Sequence, residues 1–390
     1  MHQQPCKFKY RNMKFWKTLN RIAASIVLGT LMASCSLIED DLPECGLDLY
    51  FRYDYNLQRA DMFRDHVGSV RAYVYDANDK LVAQQTESVE KGKSPFKRDG
   101  YHMHFTLPKG QYKVVAVAFQ KDYDQALLTP GAKFRYHVPQ LGDDMRNTRF
   151  DLDHTATPDA KGRYAVDHQN APLDTLWVGM SGNQLVADRY VAHPEAQLVE
   201  VGGNKGATRD TISLVRNTKH INVTLRELQV PDEMDVADYD MQITDKNGSL
   251  LWNNEVDEST PLVYTPYKTW VTTDRTSAPS THPHAVKGVG KIAHADFMTS
   301  RLLYHERGSQ DAVLKITYRP TGEVVAEVNL PDILSRLRTS ADNNRYTPQQ
   351  FLDRGYDYDL SFFFASGKLK YFNISISILG WSRRFQVEDL

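Results

Sequence analysis

Leu47-Asp48-Leu49-Tyr50-Phe51-Arg52-Tyr53-Asp54-Tyr55 carries apolar or aromatic side chains at every odd position and mostly charged ones between them. A two-residue period puts one face of an extended chain toward a core and the other toward water, so this segment reads as a half-buried strand. The pattern recurs along the chain. Ser69 to Tyr75 ends in the turn Asp76-Ala77-Asn78-Asp79. Tyr101 to Leu107 is expected to turn at Pro108-Lys109-Gly110 into Tyr112 to Phe119 as a hairpin. Ile221 to Leu225 alternates strictly. Tyr239 to Thr244 reaches Asn247-Gly248, a strong hairpin signal, before Leu250 to Trp252. Val313 to Tyr318 turns through Pro320-Thr321-Gly322 into Val324 to Leu330, and Leu360 to Phe364 turns at Ser366-Gly367 into Tyr371 to Leu379. Many short antiparallel strands with polar turns indicate an all-β sandwich or barrel architecture.

Helix signals are few. Thr347-Pro348-Gln349-Gln350 combines an N-cap, a proline at the first helical position and a glutamine three residues after the cap, opening two turns that end at Gly355. Leu57 to Val67 is a second candidate. No 3.6-residue apolar period is long enough for a bundle or for βαβ crossovers. The 390 residues suffice for two or three domains. A polar stretch around residues 154–174 and Gly202-Gly203-Asn204-Lys205-Gly206 suggest a cut near 185, giving domains 46–185 and 186–390, each large enough to bury a core. Net charge of -2, with 47 basic and 49 acidic residues, gives no basic excess for a nucleic-acid partner.

The N-terminus is a targeting segment. Ile22 to Ala33 is uncharged but too short to span a bilayer, and it follows Lys14, Lys17 and Arg21. It ends in Leu31-Met32-Ala33-Ser34-Cys35, which looks like a bacterial lipobox with Met32 in place of the usual leucine. That likeness implies a signal peptide over residues 1–34, cleavage between Ser34 and Cys35, and lipidation of Cys35. Residues 35–45 then form a lipidated linker. Its Ser36-Leu37-Ile38-Glu39-Asp40-Asp41 resembles the acidic surface-export signal of Bacteroidetes lipoproteins. Cys6 leaves with the signal and Cys35 is consumed, so Cys45 has no partner for an internal disulfide.

A search for chemistry finds no metal, cofactor or catalytic motif. Gly179-Met180-Ser181-Gly182-Asn183 fails the nucleophile-elbow spacing because residue 183 is not glycine. Gly203-Asn204-Lys205-Gly206 is too short for a phosphate loop. His282, His284, His294 and His305 match no standard zinc spacing. Asp238 with Asp240, and Asp357 with Asp359, are carboxylate pairs at alternate strand positions, which exposed strand faces carry routinely. Trp252 and Trp270 are candidates for sugar stacking or for packing. Asn222, Asn247 and Asn373 fit glycosylation sequons, a pattern of little meaning on a bacterial lipoprotein.

Five ordered segments together resemble the anchor-subunit family of Bacteroidetes fimbriae, the FimB-type minor fimbrial lipoproteins. They are the lipobox and acidic linker through Cys45 with Leu49-x-Phe51-x-Tyr53-Asp54-Tyr55-Asn56; Val70-x-Ala72-Tyr73-Val74-Tyr75-Asp76; Leu214-Val215-Arg216-Asn217-Thr218-Lys219-His220-Ile221-Asn222-Val223; Gln350-Phe351-Leu352-Asp353-Arg354; and Ile376-Ser377-Ile378-Leu379-Gly380-Trp381. The resemblance implies two tandem transthyretin-like Greek-key β-sandwich domains. It implies a non-enzymatic anchor at the fimbrium base, held in the outer membrane through lipid on Cys35, with a fimbrial shaft subunit as partner. Joining would be by strand exchange, in which a segment of one subunit completes the sheet of another. Ile374 to Val387 is a candidate exchange segment, or an ordinary final core strand; Leu47 to Tyr55 is less free because its tether lies close by. The alternative function is a surface glycan-binding β-sandwich lipoprotein.

Overall fold

The computed structural model describes residues 46–182, 184–186, 189–191, 196–202, 206–274, 290–378 and 381–387. The opening strand forms as its period dictates: Leu47–Arg52 alternates buried and more exposed positions. It is the middle of a three-stranded sheet, parallel to Thr208–Ser213 and antiparallel to Met103–Phe105. A larger sheet lies against it in the order Val215–Arg216, Leu176–Met180, Gly110–Phe119, Ser69–Asp76, Leu81–Ser88, with Val199–Val201 also pairing on Gly110–Phe119. Leu47, Leu49 and Phe51 pack between the two layers with Val70, Val114 and Trp177.

The central strands of the larger sheet depart from a half-buried pattern. Ser69–Asp76 is buried at every position but the last. Val70, Ala72 and Val74 face the first core, while Tyr73 and Tyr75 enter a second apolar cluster with Phe119, Phe150 and Leu152. A sheet covered on both faces selects near-continuous apolar runs, which is what Val114 to Phe119 supplies.

The second half contributes a six-stranded sheet in the order Lys268–Asp274, Gly290–Ser300, Thr218–Glu227, Asp357–Ala365, Lys368–Ile378, Trp381–Val387. Its neighbours are Glu323–Asn329, Val313–Tyr318, Tyr239–Asp245, Leu262–Tyr264 and Tyr164–Ala165 in one sheet, and Val256–Asp257, Ser249–Leu251, Arg149–Leu152 and Phe134–Arg135 in another. Pairing therefore crosses residue 185 in both directions. Thr208–Ser213 and Val215–Arg216 complete the first unit, whereas Arg149–Leu152 and Tyr164–Ala165 hydrogen-bond to strands of the second. One apolar cluster runs through both units.

Two expected hairpins are corrected. Met103–Phe105 and Gly110–Phe119 lie in different sheets, so Pro108 and Lys109 carry the chain between layers. Tyr239–Asp245 and Ser249–Leu251 also part into different sheets. Asn247 is 1% exposed, donates to Arg301 O and accepts from the Tyr264 hydroxyl. Gly248 is required for closeness rather than for turning, since a Cβ there would lie 2.6 Å from Leu262 Cδ1. By contrast, Ser366 and Gly367, with φ of 52° and 73°, make the two-residue turn of a true hairpin. The helix Pro348–Arg354 carries the expected capping box at Thr347 and Gln350, while only Phe63–His66 of the Leu57 to Val67 candidate is helical.

Candidate assembly edges and the buried junction

The C-terminal run separates into two different things. Lys368–Ile378 is paired on both sides, with Ile374 and Ile376 at 0% and 1% exposure in the core. Among the described residues, Trp381–Val387 is paired on one side only and closes the sheet. The opposite edge is Lys268–Asp274, paired only with Gly290–Ser300 among the described residues.

A second feature was not marked as a site in the sequence. Lys219 is fully buried, and its Nζ donates to the carbonyls of Leu352 (2.6 Å), Asp353 (3.2 Å) and Gly355 (2.7 Å). Those carbonyls close the helix Pro348–Arg354, where backbone acceptors otherwise lack donors. Burial pulls the Lys219 ammonium down to about 7, against the attraction of Asp353. Burial alone would raise the Asp353 carboxyl, but Arg301 overcomes it with paired contacts of 2.8 Å and holds the group ionised below its ordinary value. Next to it, the buried Arg354 guanidinium lies 4.2 Å from the Tyr55 ring centroid and 4.3 Å from that of Tyr346. Gln58 Nε2 donates to the Tyr356 hydroxyl at 3.0 Å, and Arg216 stacks over Tyr356 at 4.1 Å. The end of the opening strand, the start of Thr218–Glu227 and the short helix thus meet at one junction between the two units. A substituent at Gly355 would lie 2.2 Å from the Tyr358 hydroxyl, so only glycine lets the helix end there.

The remaining sequence candidates disperse. Ser34, Cys35, Cys45, His282 and His284 lie outside the described residues. His294 is stacked on Trp270, centroids 4.8 Å apart. His305 lies between Asp311 (2.9 Å) and Glu258 (3.3 Å). Among the described residues no group of three or more His, Cys, Asp or Glu side chains is arranged to hold a metal ion. Asp238 belongs to the 3-10 turn Val236–Asp238, not to the strand that carries Asp240, so that pair does not share a strand face. Asp357 and Asp359 do share one; Asp357 binds His220 at 2.6 Å. Trp252 is core, while Trp270 is half-exposed on the edge strand. Ser181 is fully buried, donating to Gln197 O at 2.6 Å.

One buried carboxylate is set against the fold. Asp245 Oδ2 is sealed from solvent without a partner. Burial, with Glu258 and Asp311 adding to it, pushes this carboxyl up to about 7. Its folded value exceeds its unfolded one, so its contribution is present below about pH 4 and is lost as pH rises through 7. Asp245→Asn is expected to raise stability at pH 8 by about 1–3 kcal/mol and to change it little at pH 4.5. Urea melts at the two pH values check this, and a variant less stable at pH 8 refutes it.

Layers of mostly antiparallel sheet, open sheet edges and a charged joint between two units define an all-β sandwich protein. Among solved structures, a Bacteroides thetaiotaomicron protein described as an adhesin is 20% identical, with a TM-score of 0.66 over 88% of this chain and 99% of that one. A second from the same organism, described as polysaccharide-binding, is 25% identical, with a TM-score of 0.59 over 88% and 99%. The fimbrial anchor protein Mfa2 of Porphyromonas gingivalis is 13% identical, with a TM-score of 0.52 over 87% and 98%. No curated protein matches the chain by sequence. The chain belongs to the family of fimbrillin-A associated anchor proteins Mfa1 and Mfa2, whose model matches residues 41–387. This is a family of structural fimbrial proteins, not an enzyme family.

Proposed function

We propose that this chain is a non-enzymatic fimbrial anchor subunit, tethered to the outer membrane at the cell surface by lipid on Cys35 and holding the base of a shaft by β-strand exchange. The family match over residues 41–387 carries the reading. It is supported by the lipobox at Leu31 to Cys35, only a few residues upstream of the match. Eleven residues lie between Cys35 and the first strand at Leu47, a reach of roughly 40 Å when extended. Two or three acyl chains would hold the body durably, since each buried CH₂ contributes about 0.8 kcal/mol. The strand Trp381–Val387 suits exchange because, among the described residues, one neighbour alone holds it, so releasing it breaks a single ladder. Lys368–Ile378 is unsuited, because its isoleucines fill the core.

Fimbriae counted on cells and in the medium test this. With Cys35→Ala, fimbriae are expected to appear in the medium and to be depleted on cells. An unchanged distribution, with the variant protein itself released, would remove the anchor reading. A glycan-binding surface protein is the second reading, favoured by likeness to the structure described as polysaccharide-binding. Trp270 is the tryptophan to follow in that case: sugar protection of its fluorescence supports that reading, and Trp252 serves as the buried control.

A further inference from the structure

The edge strand Lys268–Asp274 differs from the other described edges. An exposed edge offers unpaired N–H and C=O groups to any extended chain, and proteins blunt such edges with brevity, charge or bulges. Tyr164–Ala165, Val256–Asp257, Val215–Arg216 and Phe134–Arg135 are two residues long, Met103–Phe105 is three, and Thr208–Ser213 carries the charged pair Arg209 and Asp210 within it. Glu323–Asn329 has Glu323 and Glu327 pointing to solvent and a register shift in its ladder. Leu81–Ser88 has a register shift too, and its Gln85 side chain bonds His104 O. Trp381–Val387 carries adjacent arginines in its sequence. Lys268–Asp274 has none of these devices. It runs seven residues in unbroken register, with charge only at its two ends and Thr269-Trp270-Val271-Thr272-Thr273 between. Thr269, Val271, Thr272 and Thr273 are exposed, Val271 at 39%.

The sequence of this edge is complementary to itself. An antiparallel second copy centred on Val271 sets Lys268 opposite Asp274, Thr269 opposite Thr273, Trp270 opposite Thr272, and Val271 opposite its own counterpart. Both ends then pair opposite charges, and the middle pairs β-branched and aromatic residues, the combinations that stabilise cross-strand contacts. We infer that this edge is a self-association surface: two copies join antiparallel at Lys268–Asp274, with a two-fold axis at Val271, into one continuous sheet. Such a contact is isologous, so it closes at two copies and does not propagate. A single strand pair is small beside a standard interface, which makes the dimer transient in dilute solution. If the anchor reading holds, confinement to one membrane raises the effective concentration of the copies. The surface lies on the opposite side of the sheet from Trp381–Val387, so a copy there leaves that strand accessible.

Disulfide trapping in the purified full chain with Cys6→Ser, Cys35→Ser and Cys45→Ser tests the register, because the introduced cysteine is then the sole thiol. Val271→Cys sits on the axis, where antiparallel partners are about 4.5–5.5 Å apart at Cα, within disulfide range. Thr269→Cys places its two copies roughly 13 Å apart along the strands. Mild oxidation is expected to give covalent dimer at least tenfold faster for V271C than for T269C. In the V271C background, Lys268→Asp is expected to slow trapping by opposing two acids, and adding Asp274→Lys is expected to restore it. Equal trapping at the two positions, or no restoration by the charge swap, overturns the proposal. A chain that never traps alone, yet loses binding to a shaft subunit through K268D, also overturns it and assigns the edge to that partner.

Discussion

Asp353→Ala is expected to cost about 3–5 kcal/mol of folding stability, because it leaves the largely buried Arg301 guanidinium without its counter-charge and removes the carboxylate that favours the charged form of Lys219. The carboxylate accepts from Arg301 Nε and Nη2 at 2.8 Å and from Gln349 Nε2 at 2.9 Å, and its residue is only 5% exposed. Against a typical total of about 5–15 kcal/mol, this is a fifth or more of the stability of an ordinary domain. Asp353→Asn keeps the shape and one acceptor and is expected to lose less. Urea denaturation followed by far-ultraviolet circular dichroism measures both. A loss below about 1 kcal/mol for D353A would show that Arg301 re-pairs and that the junction is not organised around this carboxylate.

Lys219→Met is expected to be the next most damaging change, at about 3 kcal/mol at pH 9. At that pH the amine is mostly neutral and offers its two N–H groups to the carbonyls of Leu352, Asp353 and Gly355 at the end of the helix Pro348–Arg354, and methionine offers none. Methionine fills much the same volume, so the loss reports hydrogen bonding rather than a cavity. The amine adds a pH signature. Its folded pKa of about 7 lies below the unfolded value of 10.5, so between them the unfolded chain holds one proton more. Wild-type stability therefore gains a rising contribution from pH 7 toward pH 10, at most about 1.4 kcal/mol per pH unit. That slope is expected to vanish in K219M. An identical slope in wild type and variant would mean that the three carbonyls keep Lys219 charged throughout.

Much of the architecture was legible because it is local. Period-two alternation marked Leu47–Arg52 and Thr218–Glu227, the capping box marked Pro348–Arg354, and two-residue turn chemistry marked Ser366-Gly367. The same local logic misled at Asn247-Gly248, where the dipeptide is not a turn device but a buried hydrogen-bonding side chain beside a residue with no Cβ. It also missed the junction. Tyr55, Lys219 and Arg354 each lie in a segment that carries the family resemblance, yet nothing in their spacing announces that they meet. A lysine in a strand and an arginine at a helix end read as solvated charges until the fold removes the water.

By itself, the sequence determined that this protein is all-β, that its N-terminus carries the pattern of an exported lipoprotein, and that its ordered segments are those of fimbrial anchors. The strands follow from side-chain period and turn chemistry within a few neighbouring residues, whereas the lipoprotein pattern and the likeness to fimbrial anchors are resemblances carried by short motifs. Only the tertiary structure decided which strands are covered on both faces, how residues 134–166 bind the first unit to the second, which edge is unpaired among the described residues, and where charge is buried. Those depend on contacts between residues more than a hundred positions apart, such as Lys219 with Leu352 and Gln58 with Tyr356. Burial is a property of what lies on the far side of a residue, and that partner is set by how the sheets stack.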